Sequence, residues 1–163
     1  MDPGTSADLR TIFGHFATGV TIVTTVDAAG ERVGMTANSF SSLSLEPPLL
    51  LWSISRRSSN FEAFSQARCF AVHVLHAGQL ELARVFSTRG AHRFAGVDTV
   101  AGSSGAPLLT DFHARFDCET HARYEGGDHV ILLGRVLSAE QREGRALLFY
   151  RGRFAAMGSD AGS

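Results

Sequence analysis

Apolar and polar side chains alternate along much of this chain with a period of two residues, the pattern of half-buried β-strands. The longest case runs through the 114–124 region. Its apolar positions are Ala114, Phe116, Cys118, Ala122 and Tyr124, and its polar positions are Arg115, Asp117, Glu119, His121 and Arg123. Gly126-Gly127 then turns the chain into a mostly apolar run at 129–137. The pattern predicts an antiparallel hairpin with one polar face.

Further strands are predicted where β-branched or apolar runs lie between turn residues, at 20–26, about 32–36, 49–54, 69–75 and 147–150. Three short helices are also predicted. Residues 7–16 carry apolar side chains at helical spacing after Ser6 as N-cap, Ser59 and Glu62 fit a capping box for a helix to about 67, and the third helix covers 79–86. Many short strands with few helices predict an antiparallel barrel with helical caps.

Length and charge narrow the classes of protein that this chain can belong to. A chain of 163 residues fits one domain over 1–163, with a core at about 7–156 and flexible ends. Its net charge is −1 and its arginines are scattered, which argues against nucleic acid or an anionic membrane surface as partners. No apolar run approaches the roughly 20 residues of a membrane span, and no secretory signal is evident. Cys69 and Cys118 are expected to be buried thiols without a bridge, so the cytoplasm is the expected compartment.

A polar segment at 34–48 is rich in Ser and Thr, contains Asn38 and ends in Pro47-Pro48. Burying a hydroxyl or amide without a partner costs about 1–3 kcal/mol. The segment therefore either binds a polar ligand that exchanges many hydrogen bonds or forms a long turn whose side chains bond their own backbone. The residues alone leave both interpretations open.

A second polar cluster at 53–60 follows an apolar strand and precedes a predicted helix. Free N–H groups at a helix start favour phosphate, and Arg56 and Arg57 offer charge-assisted hydrogen bonds. The other interpretation is an ordinary solvated loop with a capping serine.

Several motifs together resemble one family, the short-chain flavin reductases, which are the small reductase components of two-component flavin-dependent monooxygenases. Thr36-Ala37-Asn38-Ser39-Phe40, with Ser42 and the segment 44–49, is similar to the flavin-binding segment of the family. The segments 16–25 and 70–75 resemble its strands, Gly127-Asp128-His129 its Gly-Asp-His motif, and 150–154 its closing segment. The resemblance runs from about 13 to 154, in the order and spacing of the family.

The resemblance implies a mainly β fold, an antiparallel Greek-key split β-barrel with short capping helices that forms a homodimer, with the cofactor cleft near the interface. It implies an NAD(P)H:flavin oxidoreductase that transfers hydride from NADH, with NADPH less favoured, to free FAD or FMN. The reduced flavin then serves a separate monooxygenase. The alternatives are a non-catalytic flavin carrier or sensor and an oxygen-using flavoenzyme on the same fold.

The resemblance also implies which residues bind the cofactors. His129 is expected to orient the nicotinamide, with Asp128 behind it. The expected flavin-binding residues are Thr36, Ala37, Asn38, Ser39, Phe40, Ser42 and Leu43, and those nearer the phosphate are Ser53, Ile54, Ser55, Arg56, Ser58 and Ser59. The remaining candidates are Phe86, Ser87 and Arg89, for the phosphate or adenosine end, and Tyr150, Arg151 and Arg153, for the dinucleotide. There are two alternative interpretations. In one, His129 only caps a hairpin, and in the other the residues at 150–153 belong to a barrel-closing strand with exposed charges.

Other chemistries find less support in the sequence. His73 and His76 are three residues apart on a strand and its end, so they should point to opposite faces, which is poor geometry for one metal ion. The chain has no Gly-x-Gly-x-x-Gly fingerprint and no P-loop. A nicotinamide dinucleotide must therefore be held outside a Rossmann domain.

Overall fold

The structure, a computed structural model, describes residues 4–90 and 93–158. Its centre is a seven-stranded antiparallel sheet in the order β3-β2-β6-β9-β10-β5-β4. These strands are β2 (Thr21–Val26), β3 (Arg32–Ala37), β4 (Ser41–Leu45), β5 (Pro48–Ser55), β6 (Cys69–Val74), β9 (Ala114–Gly126) and β10 (His129–Gln141). The edge strands β3 and β4 are joined by residues 38–40 and are not paired with each other. The sheet is thus a split barrel, as predicted.

Two smaller sheets complete the strand structure. One has the order β1-β11-β12, from Thr18–Gly19, Leu147–Tyr150 and Arg153–Ala156, and the other pairs β7 (Thr99–Ala101) with β8 (Pro107–Leu109). The predicted strands are all present, and the hairpin at 114–137 is confirmed as β9–β10. Strands β1, β4, β7, β8 and β12 were not predicted, because β1, β7, β8 and β12 have only two to four residues. Strand β4 lies in the polar segment at 34–48, which was interpreted as a ligand-binding segment or a long turn.

The three predicted helices are present, although two of their starts differ from the prediction. Helix α1 (Ser6–Phe13) is capped by Thr5, not Ser6, because Asp8 lies three residues after Thr5 and completes a capping box with it. Helix α2 (Phe61–Gln66) begins after Asn60 with no side-chain cap, so the predicted Ser59–Glu62 capping box is wrong. Helix α3 (Leu80–Ser87) follows a single 3₁₀ turn at Ala77–Gln79.

The core lies on both faces of the central strands. On one face, Trp52 packs edge-on against Phe64 and Phe70, at 4.9 and 6.0 Å between ring centres. On the other face, α3 and the small β1-β11-β12 sheet enclose a second cluster around Phe86. Helix α3 can approach β3 this closely because of Gly34, since a Cβ there would stand 2.6 Å from a Phe86 ring carbon.

Several polar side chains are buried and hydrogen-bonded, among them His73 and Asp117. His73 in β6 bonds the carbonyl of Ile22 through Nδ1 and the N–H of Leu109 through Nε2, both at 3.0 Å. Asp117 in β9 is 1% exposed, although the alternation placed it on a polar, solvated face. The loop at 103–104 covers it and supplies its donors, among them the Ser103 hydroxyl at 2.8 Å and the Ser104 N–H at 3.0 Å.

Both cysteines are free, as predicted. Cys118 is buried, and burial raises the pKa of its thiol to about 12. Cys69 is only partly buried, where full burial was predicted, and burial raises its pKa as well. In the described part of the chain, no helix has the length and apolar character needed to cross a membrane.

Candidate functional site

The C-terminal end of β5 and the turn of the β9–β10 hairpin lie side by side. In the register of β5 with β10, His129 stands opposite Ser55, and Ile131 opposite Ser53. The main-chain N–H of Arg56 continues this pairing with a bond to the carbonyl of Asp128 at 2.9 Å. Two segments that are far apart in sequence, and that were both predicted to bind cofactors, are therefore neighbours.

Gly127 and Asp128 form the two-residue turn that presents His129. Gly127 has a φ of +72°, a conformation that glycine adopts without strain. The Nδ1–H of His129 donates to a carboxylate oxygen of Asp128 at 2.7 Å, since an ionised carboxylate can only accept. This bond lowers the pKa of Asp128. The other ring nitrogen, Nε2, has no hydrogen-bond partner within 4–90 and 93–158, and the side chain is 42% exposed.

The predicted flavin-binding segment uses only part of its polar groups within the protein. The Thr36 hydroxyl donates to the carbonyl of Ala83 in α3 at 2.6 Å. The Ser39 hydroxyl bridges to β5, since it donates to the carbonyl of Ser53 at 2.9 Å and accepts from the Ser53 N–H at 3.0 Å. Asn38 is exposed, and its amide has no partner among the described residues. The segment is therefore an anchored connection that leaves Asn38 free for a ligand.

The rest of this segment has mixed environments. Ala37 ends β3, and its carbonyl accepts from the Thr21 hydroxyl at 2.7 Å. Phe40 is partly buried and stacks on Phe116 at 5.7 Å between ring centres. Ser42 and Leu43 are exposed at a bulge of β4.

In the loop between β5 and α2, two of the predicted phosphate donors are hydrogen-bonded to the backbone of the loop itself. The hydroxyl of Ser55 accepts from the Arg57 N–H, and that of Ser58 accepts from the Asn60 N–H, both at 3.2 Å. Ser59 is exposed. The Arg56 guanidinium is directed at the hairpin turn, where Nε donates to the carbonyl of Gly127 at 3.4 Å and Nη2 pairs with the carboxylate of Glu125.

Two predicted binding residues have side chains inside the hydrophobic core. Ile54 is 0% exposed and belongs to the cluster around Trp52, while Phe86 is 1% exposed and lies under Gly34. Either residue can reach a ligand only through its main chain. Within the segments that the resemblance predicts to bind cofactors, these two apolar side chains therefore serve packing.

Arg93 contacts β3 beside the candidate site and was not among the residues predicted from the sequence. Its Nη1 donates to the carbonyl of Gly34 at 2.8 Å and its Nε to the carbonyl of Thr88 at 2.9 Å, and partial burial lowers its pKa. It therefore ties the segment after α3 to β3, and near this segment the last residue of α3, Ser87, and Arg89 are both exposed. A lone arginine in an irregular loop has no periodic signal that would identify it.

Two cavities adjoin β3. One, of about 760 Å³, lies between the β2–β3 turn and α2, and Ser59 lines it. The other, of about 460 Å³, is lined by Arg32, Gly34 and Arg93, among others. Both are lined by Val33 and Asn60. Ser59 is the one predicted binding residue among their lining residues.

Tyr150, Arg151 and Arg153 lie elsewhere. They form the β11–β12 turn in the small sheet, where the Arg151 N–H donates to the carbonyl of Gly14 at 2.9 Å. Tyr150 contacts the ring of His15 edge-on. Both contacts are with the segment after α1. The turn belongs to a different sheet from the hairpin that carries His129.

Comparison with known proteins gives a consistent result. The model of the family described as "Flavin reductase like domain" matches residues 13–158. The chain is 44% identical over 149 residues to the FMN reductase (NADH) SmoA of Agrobacterium fabrum, covering 91% of this chain and 84% of that protein. It is 42% identical over 152 residues to the reductase subunit HsaB of a flavin-dependent monooxygenase of Rhodococcus jostii, covering 93% and 77%.

Among solved structures, the chain is similar to the NADH:FAD oxidoreductase SgcE6 of Streptomyces globisporus in complex with NAD and FAD fragments. The TM-score is 0.91 at 43% identity, with 99% of this chain and 98% of that chain covered. The match is partial in other cases, because the chain spans 47% of the length of a 44% identical probable flavin reductase of Rhizobium meliloti.

Proposed function

Because the chain belongs to the flavin reductase like family, we propose that it is an NADH-dependent flavin reductase. It transfers hydride from NADH to free FAD or FMN, and the reduced flavin serves a separate flavin-dependent monooxygenase. The partner is proposed from the similarity to HsaB, a reductase subunit of such an enzyme. NADH is preferred to NADPH because the relatives SmoA and SgcE6 are named as NADH enzymes.

One observation carries the proposal: the candidate flavin segment and the candidate nicotinamide residue are attached to β5 two residues apart. Ser39 is bonded to Ser53, and His129 pairs with Ser55. Residues i and i+2 of a strand share a face and lie roughly 7 Å apart. The neighbours Trp52 and Ile54 point into the core, so Ser53, Ser55 and His129 face away from it. A flavin and a nicotinamide held at these positions would be adjacent.

The available donors fit a flavin. Asn38 offers an amide with no partner among the described residues, and the exposed Ser42 and Ser59 offer hydroxyls to ring, ribityl or phosphate groups. When bound, the flavin supplies the hydride-accepting ring, which is chemistry that the side chains of the protein do not perform. The chain's own residues bind and orient. Because Nδ1 of His129 is bonded to Asp128, Nε2 is the ring nitrogen that remains to face a carboxamide or phosphate.

The test is an assay of the purified protein with NADH or NADPH and with FAD, FMN or riboflavin, followed at the nicotinamide absorbance band. We expect oxidation of NADH to depend on added flavin and to exceed the rate with NADPH. NADH oxidation at the background rate with every flavin would overturn the proposal. Flavin binding without turnover would instead support the carrier alternative.

We also propose a homodimer, as the family resemblance implies, with the cofactor cleft near the interface. Its support is a set of large apolar side chains that a single copy leaves exposed. Ile12, Phe13 and Phe16 on and after α1 are at least 60% exposed, and Leu45 on the edge strand β4 is 90% exposed. Light scattering at micromolar concentration should give about twice the 17.5 kDa of one chain. A mass near one chain would contradict this proposal without touching the proposed reaction.

A further inference from the structure

Arg56 makes three contacts with the hairpin turn that carries His129. Its main-chain N–H donates to the carbonyl of Asp128 at 2.9 Å, and its Nε to the carbonyl of Gly127 at 3.4 Å. Its Nη2 pairs with the carboxylate of Glu125, on the other side of the turn. One residue thus contacts the hairpin on both sides of Gly127.

The same guanidinium lies against α2. Its central carbon stands 5.7 Å from the centre of the Phe61 ring, the first residue of that helix. Arg56 therefore connects two parts of the candidate site, the polar loop before α2 and the hairpin turn. A planar guanidinium serves two acceptors in fixed directions, which a lysine ammonium does not.

From this geometry we propose that Arg56 is a positioning residue, which holds the Gly127–His129 turn against the end of β5 and thereby sets the position of the His129 imidazole relative to the flavin-binding segment. The inference deepens the proposed function and rests on it. It also gives Arg56 a different role from the phosphate donor that the sequence suggests, because two of its donor atoms are directed at the protein.

Replacement of Arg56 should affect the geometry of the candidate site more than the stability of the fold. The Glu125 side chain is 80% exposed, and exposed ion pairs contribute little to folding. The rate of reaction depends more strongly on position, since a displacement of about 1 Å in a reacting pair can lower a rate by as much as about a hundredfold. We therefore expect replacement of Arg56 to slow hydride transfer while the protein stays folded.

The chain offers a matched control on the same hairpin. Arg135 in β10 pairs with Glu119 in β9 at 3.0 Å, and both side chains are about half exposed. The variants Arg56→Met and Glu125→Gln are compared with Arg135→Met and Glu119→Gln. Single-turnover reduction of flavin by NADH is followed by stopped flow, flavin affinity by fluorescence titration, and stability by thermal unfolding.

We expect Arg56→Met to slow the hydride-transfer step by about three- to thirtyfold, with flavin affinity within about twofold of wild type. Glu125→Gln should have a smaller effect in the same direction, and the Arg135 and Glu119 variants should have none. Arg56→Lys can pair with Glu125, but its single nitrogen cannot take the places of both Nε and Nη2, so it should restore only part of the rate.

A double variant separates positioning from direct binding. If Arg56 acts through His129, then Arg56→Met should cost little more in a His129→Ala protein, so the two effects are not additive. Additive losses, or a weakened flavin affinity in Arg56→Met alone, would show a direct ligand of the cofactors. Unchanged rates in Arg56→Met would reduce Arg56 to a surface ion pair. Each of these results overturns the inference.

A measurement on the free protein keeps the inference apart from the proposed reaction. Hydrogen exchange of the 125–131 segment should speed up in Arg56→Met and not in Arg135→Met. If the wild-type protein reduces no flavin, the proposed function fails whatever this exchange shows. If exchange in the segment is unchanged, the positioning role fails even in an active enzyme.

Discussion

His73 and His129 lie in the same seven-stranded sheet, but their surroundings give them opposite properties. His73 is in the middle of β6, fully buried, with both ring nitrogens bonded to main-chain groups. His129 opens β10 at the edge of solvent, with one nitrogen bonded to Asp128 and the other without a partner in the described chain. A histidine whose two nitrogens are both used by the backbone serves structure. One that keeps a nitrogen free beside a carboxylate is placed to meet a ligand.

The largest expected effect tests the structural half of this comparison. His73→Leu leaves the Ile22 carbonyl and the Leu109 N–H buried without partners. Each stranded group costs about 1–3 kcal/mol, so the free energy of unfolding should fall by about 2–6 kcal/mol. Urea denaturation measures it. His73→Gln, whose amide offers one donor and one acceptor, should lose less, and equal losses in the two variants would show that hydrogen bonding is not the cause.

Low pH should also destabilise the folded protein through His73. Burial lowers its pKa from 6.5 to about 4. Between these two values the unfolded chain binds a proton that the folded chain does not, so stability falls as the pH drops from 6.5 towards 4. At about 1.4 kcal/mol per pKa unit, the contribution reaches about 3 kcal/mol. Urea denaturation across this range should show a steeper loss in the wild type than in His73→Leu, and parallel curves would contradict the assignment.

The two histidines also show what the sequence could and could not predict. The Gly127–His129 turn was recognisable because a two-residue turn between alternating strands is encoded locally, and the family resemblance supplied the role proposed for it. The bonds of His73 to Ile22 and Leu109 join residues 51 and 36 positions apart. Periodicity within one strand contains no information about such partners.

The same limit explains the errors elsewhere. Alternation placed Asp117 on a solvated face, but a loop 13 and 14 residues earlier in the chain covers it. The sequence predicted a flavin-binding segment as a whole, and only the structure shows that Thr36 and Ser39 in it bond main-chain groups while Asn38 does not. Arg93 was missed because its partners, Gly34 and Thr88, are brought to it by the packing of α3 on β3.

The functional half of the comparison is tested by His129→Ala. Loss of one hydrogen bond to the dinucleotide should lower kcat/KM for NADH by between a few-fold and about a hundredfold, depending on whether the bonded group is charged. Flavin affinity and thermal stability should stay near wild type, unlike in the His73 variants. A higher KM alone would indicate docking, and a lower kcat would indicate alignment of the ring. A lower melting temperature with normal kinetics would make His129 a hairpin cap.

Asn38 extends the comparison to the flavin side. Its amide is exposed and has no partner among the described residues, whereas the neighbouring Ser39 hydroxyl is bonded twice to Ser53. Asn38→Leu should therefore weaken flavin binding by about 1–3 kcal/mol and leave folding intact. Ser39→Ala is the matched variant, and it should lower stability because the Ser53 main chain loses its partner. An unchanged flavin affinity in Asn38→Leu would mean that the segment is only a turn.

The smallest expected effect is that of Asp128→Asn, which removes the charge behind His129 and keeps the shape. An amide oxygen still accepts from Nδ1–H, but more weakly than a carboxylate. The imidazole should then lose part of its fixed orientation, and kcat/KM for NADH should fall by about two- to fivefold, less than in His129→Ala. Asp128→Asn combined with His129→Ala should be no slower than His129→Ala alone, because the carboxylate acts only through the ring. Steady-state kinetics of the three variants decide the matter, and a further loss in the double variant would mean that Asp128 contacts the dinucleotide itself.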